Sequence, residues 1–225
     1  MLVGTAPKLT STQEQSSYGR LCQLLVFLGT GVLKETFDRI ISPEDLCKHL
    51  KGLRVHRTLK SLQKQRILTS KHWRQLYPKP ASSVSSKEFD FTLLMVLLRT
   101  VCELAPPTAG WDTHPLPADT SQEADIARLR CFFNTVFRHA DKSCVSDAEY
   151  IRYSENIREV LVRLGGTCYG DAMDKIMNQK MDSVTEEHYK ELLKHLMKKE
   201  DSIKDKMNDL QSVLETSGDE GEFKL

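Results

Sequence analysis

Between Asp45 and Glu88 the chain has no acidic residue, yet it carries Lys48, Lys51, Arg54, Arg57, Lys60, Lys64, Arg66, Lys71, Arg74, Lys79 and Lys87. His49, His56, His72, Trp73 and Tyr77 are interleaved among them. Such a surface binds a phosphate backbone by releasing its condensed counterions, and exposed aromatic rings can stack on unpaired bases. The residues expected to carry RNA binding are Lys48, Lys51, Arg54, Arg57, Lys60, Lys64, Arg66, Lys71, Trp73 and Arg74. The plainer alternative is a solvated helix face whose acidic neighbours come from the C-terminal half. The excess is local, because the 225 residues hold 32 Lys/Arg against 31 Asp/Glu and a formal net charge of +1. Overall charge therefore selects no partner.

Other site chemistries find little support. Cys131, His139 and Cys144 lie close in sequence, but their spacing matches no zinc pattern and no fourth ligand accompanies them. Neither a metal nor a cofactor is expected. The chain has no GxxxxGK[ST] phosphate loop and no GxSxG elbow, and Gly165-Gly166 reads as a helix stop. Six cysteines (Cys22, Cys47, Cys102, Cys131, Cys144 and Cys168) are irregularly spaced without a CxxC pair, which suits a reducing compartment. The longest apolar stretches, Leu24–Leu28 and Leu93–Leu98, fall short of the roughly 18–20 residues that a membrane span needs. Residues 1–12 lack the pattern of a secretory leader. The expectation is a soluble cytoplasmic protein with no membrane partner.

The elements that must position these residues are helical. With 40% apolar and 28% charged residues the chain can form a packed core. Residues 1–17, without periodicity, read as a flexible lead. From Tyr18, the spacing of Leu21, Leu24, Leu25, Leu28, Val32 and Leu33 predicts a helix to about Ile41, weakened at Gly29 and Gly31. Ser42-Pro43-Glu44-Asp45 restarts a helix with a serine cap, proline at the first position and acids in the first turn. The pattern continues through Leu46, Leu50 and Leu53, then after a break through Val55, Leu59 and Leu62, and a short helix follows Thr69 to Tyr77. Lys79–Lys87 is a Pro/Ser loop, Phe89–Leu104 a central buried helix, and Ala105–Asp119 a proline-rich loop in which Trp111 should dock.

Thr120-Ser121-Gln122-Glu123 and Ser146-Asp147-Ala148-Glu149 are capping boxes for helices reaching Arg138 and Leu164-Gly165-Gly166. Residues 167–182 read as a connector. Ser183-Val184-Thr185-Glu186 opens a long amphipathic helix over 183–216, followed by an acidic tail at 217–225. Its heptad residues Tyr189, Leu193, Leu196, Ile203, Met207, Leu210 and Leu214 are candidates for oligomerisation, with docking onto the bundle as the alternative.

The stretch Arg130-Cys131-Phe132-Phe133-Asn134-Thr135-Val136-Phe137-Arg138-His139 belongs with Phe89-Asp90-Phe91-Thr92-Leu93-Leu94, Leu97–Cys102, Pro106-Pro107 and Gly110-Trp111. Together they resemble the HEPN-like domain of the DAZ-interacting zinc-finger type, carried by a RING ubiquitin ligase and by many invertebrate multidomain proteins. Asp119, Ala124-Asp125-Ile126, Ser146-Asp147 and Leu164-Gly165-Gly166 support the resemblance, which runs over 18–166. It implies an all-α fold, a HEPN-like helical bundle with a long C-terminal heptad-patterned helix.

Members of that class are often dimeric, and many are metal-independent ribonucleases. Their motif is an arginine, commonly followed by a polar residue, and a histidine four to six positions later. A histidine of ordinary pKa, near ~6.5, can take a proton from a ribose 2′-hydroxyl, and an arginine can stabilise the phosphorane charge. Asn134 and His139 match, but the arginine position is Phe133, which continues the apolar stripe Ile126, Leu129, Phe133 and Val136/Phe137. Arg130, one turn earlier, and Arg138, beside the histidine, are the nearby substitutes.

What the resemblance implies is a non-enzymatic HEPN-like interaction or adaptor module. It would associate with itself or with another HEPN-bearing protein, in ubiquitin- or immune-type signalling. The chain has no RING cysteine-histidine pattern of its own. The alternatives are RNA binding through the basic 48–79 stretch, and a weak ribonuclease using His139 with Arg130 or Arg138.

Overall fold

A computed structural model describes the backbone of residues 12–138 and 144–198. In chain order its helices are α1 (Thr12–Gln23), a π-helical turn (Leu24–Gly29), α2 (Thr30–Ile40), α3 (Pro43–Lys51), α4 (Leu53–Lys64) and α5 (Ser70–Leu76). Then come α6 (Phe91–Thr100), α7 (Gln122–Phe137), α8 (Asp147–Gly165), α9 (Thr167–Asn178) and α10 (183–198). Among the described residues there is no β-strand, in agreement with the all-α expectation.

Local chemistry sets most of these limits. Ser42 Oγ accepts from the Asp45 N–H at 3.3 Å, with Pro43 at the first helical position. Ser146 and Glu149 close the expected capping box. The end of α4 is a Schellman turn, in which the Ile67 N–H reaches the Leu62 carbonyl at 2.9 Å and the Arg66 N–H reaches Gln63 at 3.0 Å. Arg66 takes the left-handed position usually given to glycine, at φ 60°. Gly166, at φ 84°, turns the chain from α8 into α9.

The structure departs from the sequence expectations at several ends. Helix begins at Thr12, inside the segment read as a flexible lead, and Ser17 and Tyr18 are buried. Gly29 does not break the first helix, which passes through a π-helical turn, and a β-carbon there would stand 3.3 Å from Phe133 Cε2. Helix α6 stops at Thr100, four residues before the expected end, and Glu103 adopts φ 56° just beyond it. Asp119 Oδ1 accepts from both the N–H and the hydroxyl of Ser121, so Ser121 caps α7 in place of Thr120. Asp182, which accepts from the N–H groups of Val184 and Thr185 at 3.0 and 2.9 Å, caps α10 in place of Ser183. Residues 167–182 are mostly the helix α9, whose Tyr169, Met173 and Ile176 are buried at helical spacing.

The chain divides into two compact units, Met1–Val32 with Pro107–Lys194, and Leu33–Pro106 with His195–Leu225. In the first, α7, α8 and α9 pack with α1 and the π-helical turn. Asp125, 1% exposed, receives both Arg163 Nε (2.7 Å) and Nη2 (2.8 Å) from α8 and Arg128 Nη1 (2.7 Å) from its own helix. Arg128 also donates to the carbonyls of Leu116 and Asp119, fastening the proline-rich loop in which Trp111 is buried. The start of α10 lies on α1: the Lys190 ammonium stands 5.8 Å from the Tyr18 ring centre, and a β-carbon at Gly19 would strike Glu186.

Of the heptad candidates, Tyr189 is half-buried while Leu193 and Leu196 are buried within the single chain. Those two leucines do not form an open oligomerisation surface. Ile203, Met207, Leu210 and Leu214 lie outside the described residues.

In the second unit α6 is the centre, with every residue from Phe91 to Leu98 buried. Asp90 caps it through the Leu93 N–H at 2.9 Å. Leu46 and Leu50 of α3 and Leu59 and Leu62 of α4 are buried, and Phe37 meets Phe89 edge-on at 5.9 Å.

Candidate nucleic-acid interface

The unit built from 33–106 has fourteen Lys/Arg against seven Asp/Glu. Lys48, Lys51, Arg54, Arg57, Lys60, Lys64, Arg66, Lys71 and Arg74 are all exposed. The helical period explains α4: Leu59 and Leu62 face the core, and Arg57, Lys60 and Lys64 fall within about 60° of one another on the opposite side. From Arg54 to Lys64 this ridge is ~15 Å long. At its start a shallow depression is lined by Asp45, Lys48, His49, Leu53, Arg54 and Val55, with Leu53 exposed and Asp45 as its one acid.

Acidic neighbours do little to neutralise the ridge. Arg54 pairs with Glu103 at 2.9 Å, but both are largely exposed (84% and 70%), so the pair contributes at most ~1 kcal/mol. Lys48, Lys51, Arg57, Lys60, Lys64, Lys71 and Arg74 make no ion pair or side-chain hydrogen bond among the described residues.

The aromatic residues of the stretch take a different place from the one expected. Trp73 is half-buried against Tyr77, with ring centres 4.5 Å apart, and His56 stands edge-on to both at 5.8 and 5.1 Å. The Tyr77 hydroxyl donates to the Leu50 carbonyl at 2.9 Å, and burial pushes its pKa up to about 12. The three rings join α3, α4 and α5. His72 is buried: its N–H donates to Thr69 Oγ1 at 3.1 Å, Thr69 donates back to Nδ1 at 3.5 Å, and Nε2 faces Asp90 Oδ2 at 3.5 Å. It replaces the acid of an ordinary capping box, a structural role.

In the first unit, the described candidates of the ribonuclease motif lie at different depths. Phe133 is fully buried. Arg130, 1% exposed, is held by Asp112 (2.5 Å) and the Trp111 carbonyl (3.4 Å). Asn134 is half-buried. Arg138 is exposed, and its guanidinium reaches Thr135 Oγ1 at 3.3 Å. His139 lies outside the described residues. Arg130 and Arg138 are therefore not brought to one place: one is enclosed, the other is at the surface.

Asp125 and Arg128 are buried and paired, with Arg163 reaching Asp125 from a more exposed position, and partly buried Asp112 holds Arg130. The three-residue step from Asp125 to Arg128 was a readable helical pair. Nothing near Asp112 announces its partner 18 residues on. Among the described residues no three His, Cys, Asp or Glu side chains come together as a metal site, and no helix is long and apolar enough to cross a membrane.

The described residues form an all-helical module with Phe133 in its core. The family model for DZIP3/hRUL138-like HEPN domains matches residues 43–189, and the chain belongs to that family. The match starts later than the resemblance read from sequence and continues beyond Gly166 to take in α9 and the first turns of α10. The mouse (Mus musculus) E3 ubiquitin-protein ligase DZIP3 is 24% identical over 173 residues, 75% of this chain. Its human (Homo sapiens) counterpart is 22% identical over the same length. The chain spans 14% of the length of these relatives. No solved structure matches the chain.

Proposed function

We propose that the chain is a non-catalytic HEPN-type binding module whose working surface is the basic face of α3–α5 and whose ligand is RNA. The observation that carries this reading is the set Lys48, Lys51, Arg57, Lys60, Lys64, Lys71 and Arg74, exposed and without an acidic partner among the described residues. Concentrated, unneutralised charge on one unit is what a polyanion binds. Absence of catalysis is supported by Phe133 in the core and by Arg130 engaged with Asp112.

An adaptor role is compatible with this surface. The relatives are named as ubiquitin ligases and extend far beyond the matched region, so the module would hold a ligand or partner beside a separate activity. Self-association would have to use surfaces other than Leu193 and Leu196. A cytoplasmic setting fits the unpaired cysteines.

The test is fluorescence anisotropy of labelled RNA with the full chain at low and moderate salt, with the RNA checked for cleavage afterwards. Affinity is expected to fall steeply with salt, and Arg57→Ser/Lys60→Ser/Lys64→Ser to weaken it by at least about tenfold while the RNA stays intact. Salt-independent affinity, or cleavage that His139→Ala abolishes, would overturn the reading.

A further inference from the structure

We infer that the basic face recognises the phosphate backbone of a duplex and not unpaired bases. This rests on the RNA-binding reading above and narrows its ligand.

Proteins that hold single strands combine a basic groove with aromatic platforms, and each stacked base contributes about 1–3 kcal/mol. Among its described residues the second unit has the charge without the platforms. Phe37, Phe89 and Phe91 are buried to 1% exposure or less. Trp73 and Tyr77 are half-buried and lie against each other at 4.5 Å, with His56 edge-on to both. Tyr77 is further tied through its hydroxyl to the Leu50 carbonyl. To stack on a base, these rings would have to leave contacts that join three helices, so an unpaired strand loses its main means of attachment here.

What remains is electrostatic, and that term grows with the charge density of the ligand. A duplex presents one negative charge per ~1.7 Å of its axis, and each phosphate contact steepens the salt dependence more for B-DNA than for a single strand. The α4 ridge is a straight helical face with Arg57, Lys60 and Lys64 in one row, so it can lie along a stiff backbone without reordering. Flexible lysine and arginine side chains reaching phosphates carry no sequence information. The ligand class is duplex nucleic acid of any sequence. RNA and DNA duplexes share the phosphate chemistry, and separate arms of the experiment distinguish them.

The experiment is anisotropy with the full chain at low salt and at one moderate salt concentration, the latter used for the comparison between probes. The probes are labelled RNA and DNA duplexes of about 20 base pairs, longer than the ~15 Å ridge, and single-stranded oligo(U) and oligo(A) of equal length. Tryptophan emission is followed in parallel. Trp111 is buried, so quenching by a base reports on Trp73.

Duplexes should bind about fivefold or more tightly than either single strand, with two unrelated duplex sequences agreeing within about twofold. Inorganic polyphosphate should compete, and saturating oligo(U) should leave tryptophan emission unquenched. Trp73→Phe should keep duplex affinity within about twofold, whereas Lys60→Ser/Lys64→Ser should lower it by several-fold. A single strand that binds more tightly and quenches tryptophan would overturn this inference and leave RNA binding standing. Failure of every nucleic acid to bind at low salt would overturn both.

Discussion

Arg130 sits inside the first unit with its guanidinium on the Asp112 carboxylate, so an arginine of α7 fastens the proline-rich loop to the helix. The nuclease reading needs an arginine free to meet a phosphorane, and this one is enclosed. Removing the acid would take the charged partner from an arginine that is 1% exposed. Asp112→Ala is expected to cost about 3 kcal/mol in urea denaturation, and Arg130→Met, which removes the charge and keeps the volume, distinctly less. Equal, small losses would show that the pair does not anchor the loop.

Phe133→Arg restores the family motif on paper but places a charge where Phe133 is fully buried and in line with Gly29. The expected result is loss of cooperative unfolding or a drop of more than about 4 kcal/mol, with no gain of cleavage. A folded variant that cleaves RNA would restore the catalytic reading.

Asp125 is the stronger charge hub, because one buried carboxylate receives two guanidinium groups from α7 and α8. Asp125→Ala is expected to destabilise by about 3–5 kcal/mol, since both arginines lose a charge-assisted partner at once. Urea midpoints of the wild type and the variant check this.

Burial pushes the thiols of Cys22 and Cys102 up to about 12, so thiolate at either site is strongly disfavoured near neutral pH. Cys168, in contrast, is exposed. Brief treatment of the native protein with iodoacetamide at pH 8, followed by peptide mass spectrometry, should find Cys168 modified and Cys22 and Cys102 protected until denaturant is added. Early modification of Cys22 would mean that α1 is not packed as described.

Asp119, Asp174 and Asp182 all have their carboxyls held below the usual 3.8. Ser121 hydrogen bonds act on the first, Arg158 on the second, and Thr185 on the third. A folded value below the unfolded one means stability that is present above pH 3.8 and lost as pH falls through the folded value. Thermal melts should therefore be steady from pH 6 to 5 and decline below pH 4, less steeply in Asp119→Asn and Asp182→Asn. Identical acid profiles in wild type and variants would contradict the assignment.

Much of this fold was readable because helix caps are local chemistry: Ser42-Pro43 and Ser146 with Glu149 fall where their types predict. The misses have physical causes. Asp119 accepts the Ser121 hydroxyl proton while Ser121 Oγ accepts from the Ala124 N–H, and Asp182 accepts from the Val184 and Thr185 N–H groups, so both caps sit one residue from the expected position. The connector 167–182 holds helix α9, whose Tyr169, Met173 and Ile176 carry a helical period. At the candidate interface the cations were legible, since charges without nearby acids must face water. The four-residue step from Trp73 to Tyr77 is local to α5 and its cap, but the approach of His56 to both rings was not legible, because α4 and α5 meet only after folding.

The measurement that tests the central claim most directly is amide chemical-shift mapping of the isotopically labelled full chain on addition of duplex RNA at low salt. The largest changes should fall on α3–α5, at Lys48, Lys51, Arg57, Lys60, Lys64 and Lys71, and should recede as salt is raised. Changes centred on Asn134 and Arg138 instead, with 48–74 undisturbed, would contradict the account.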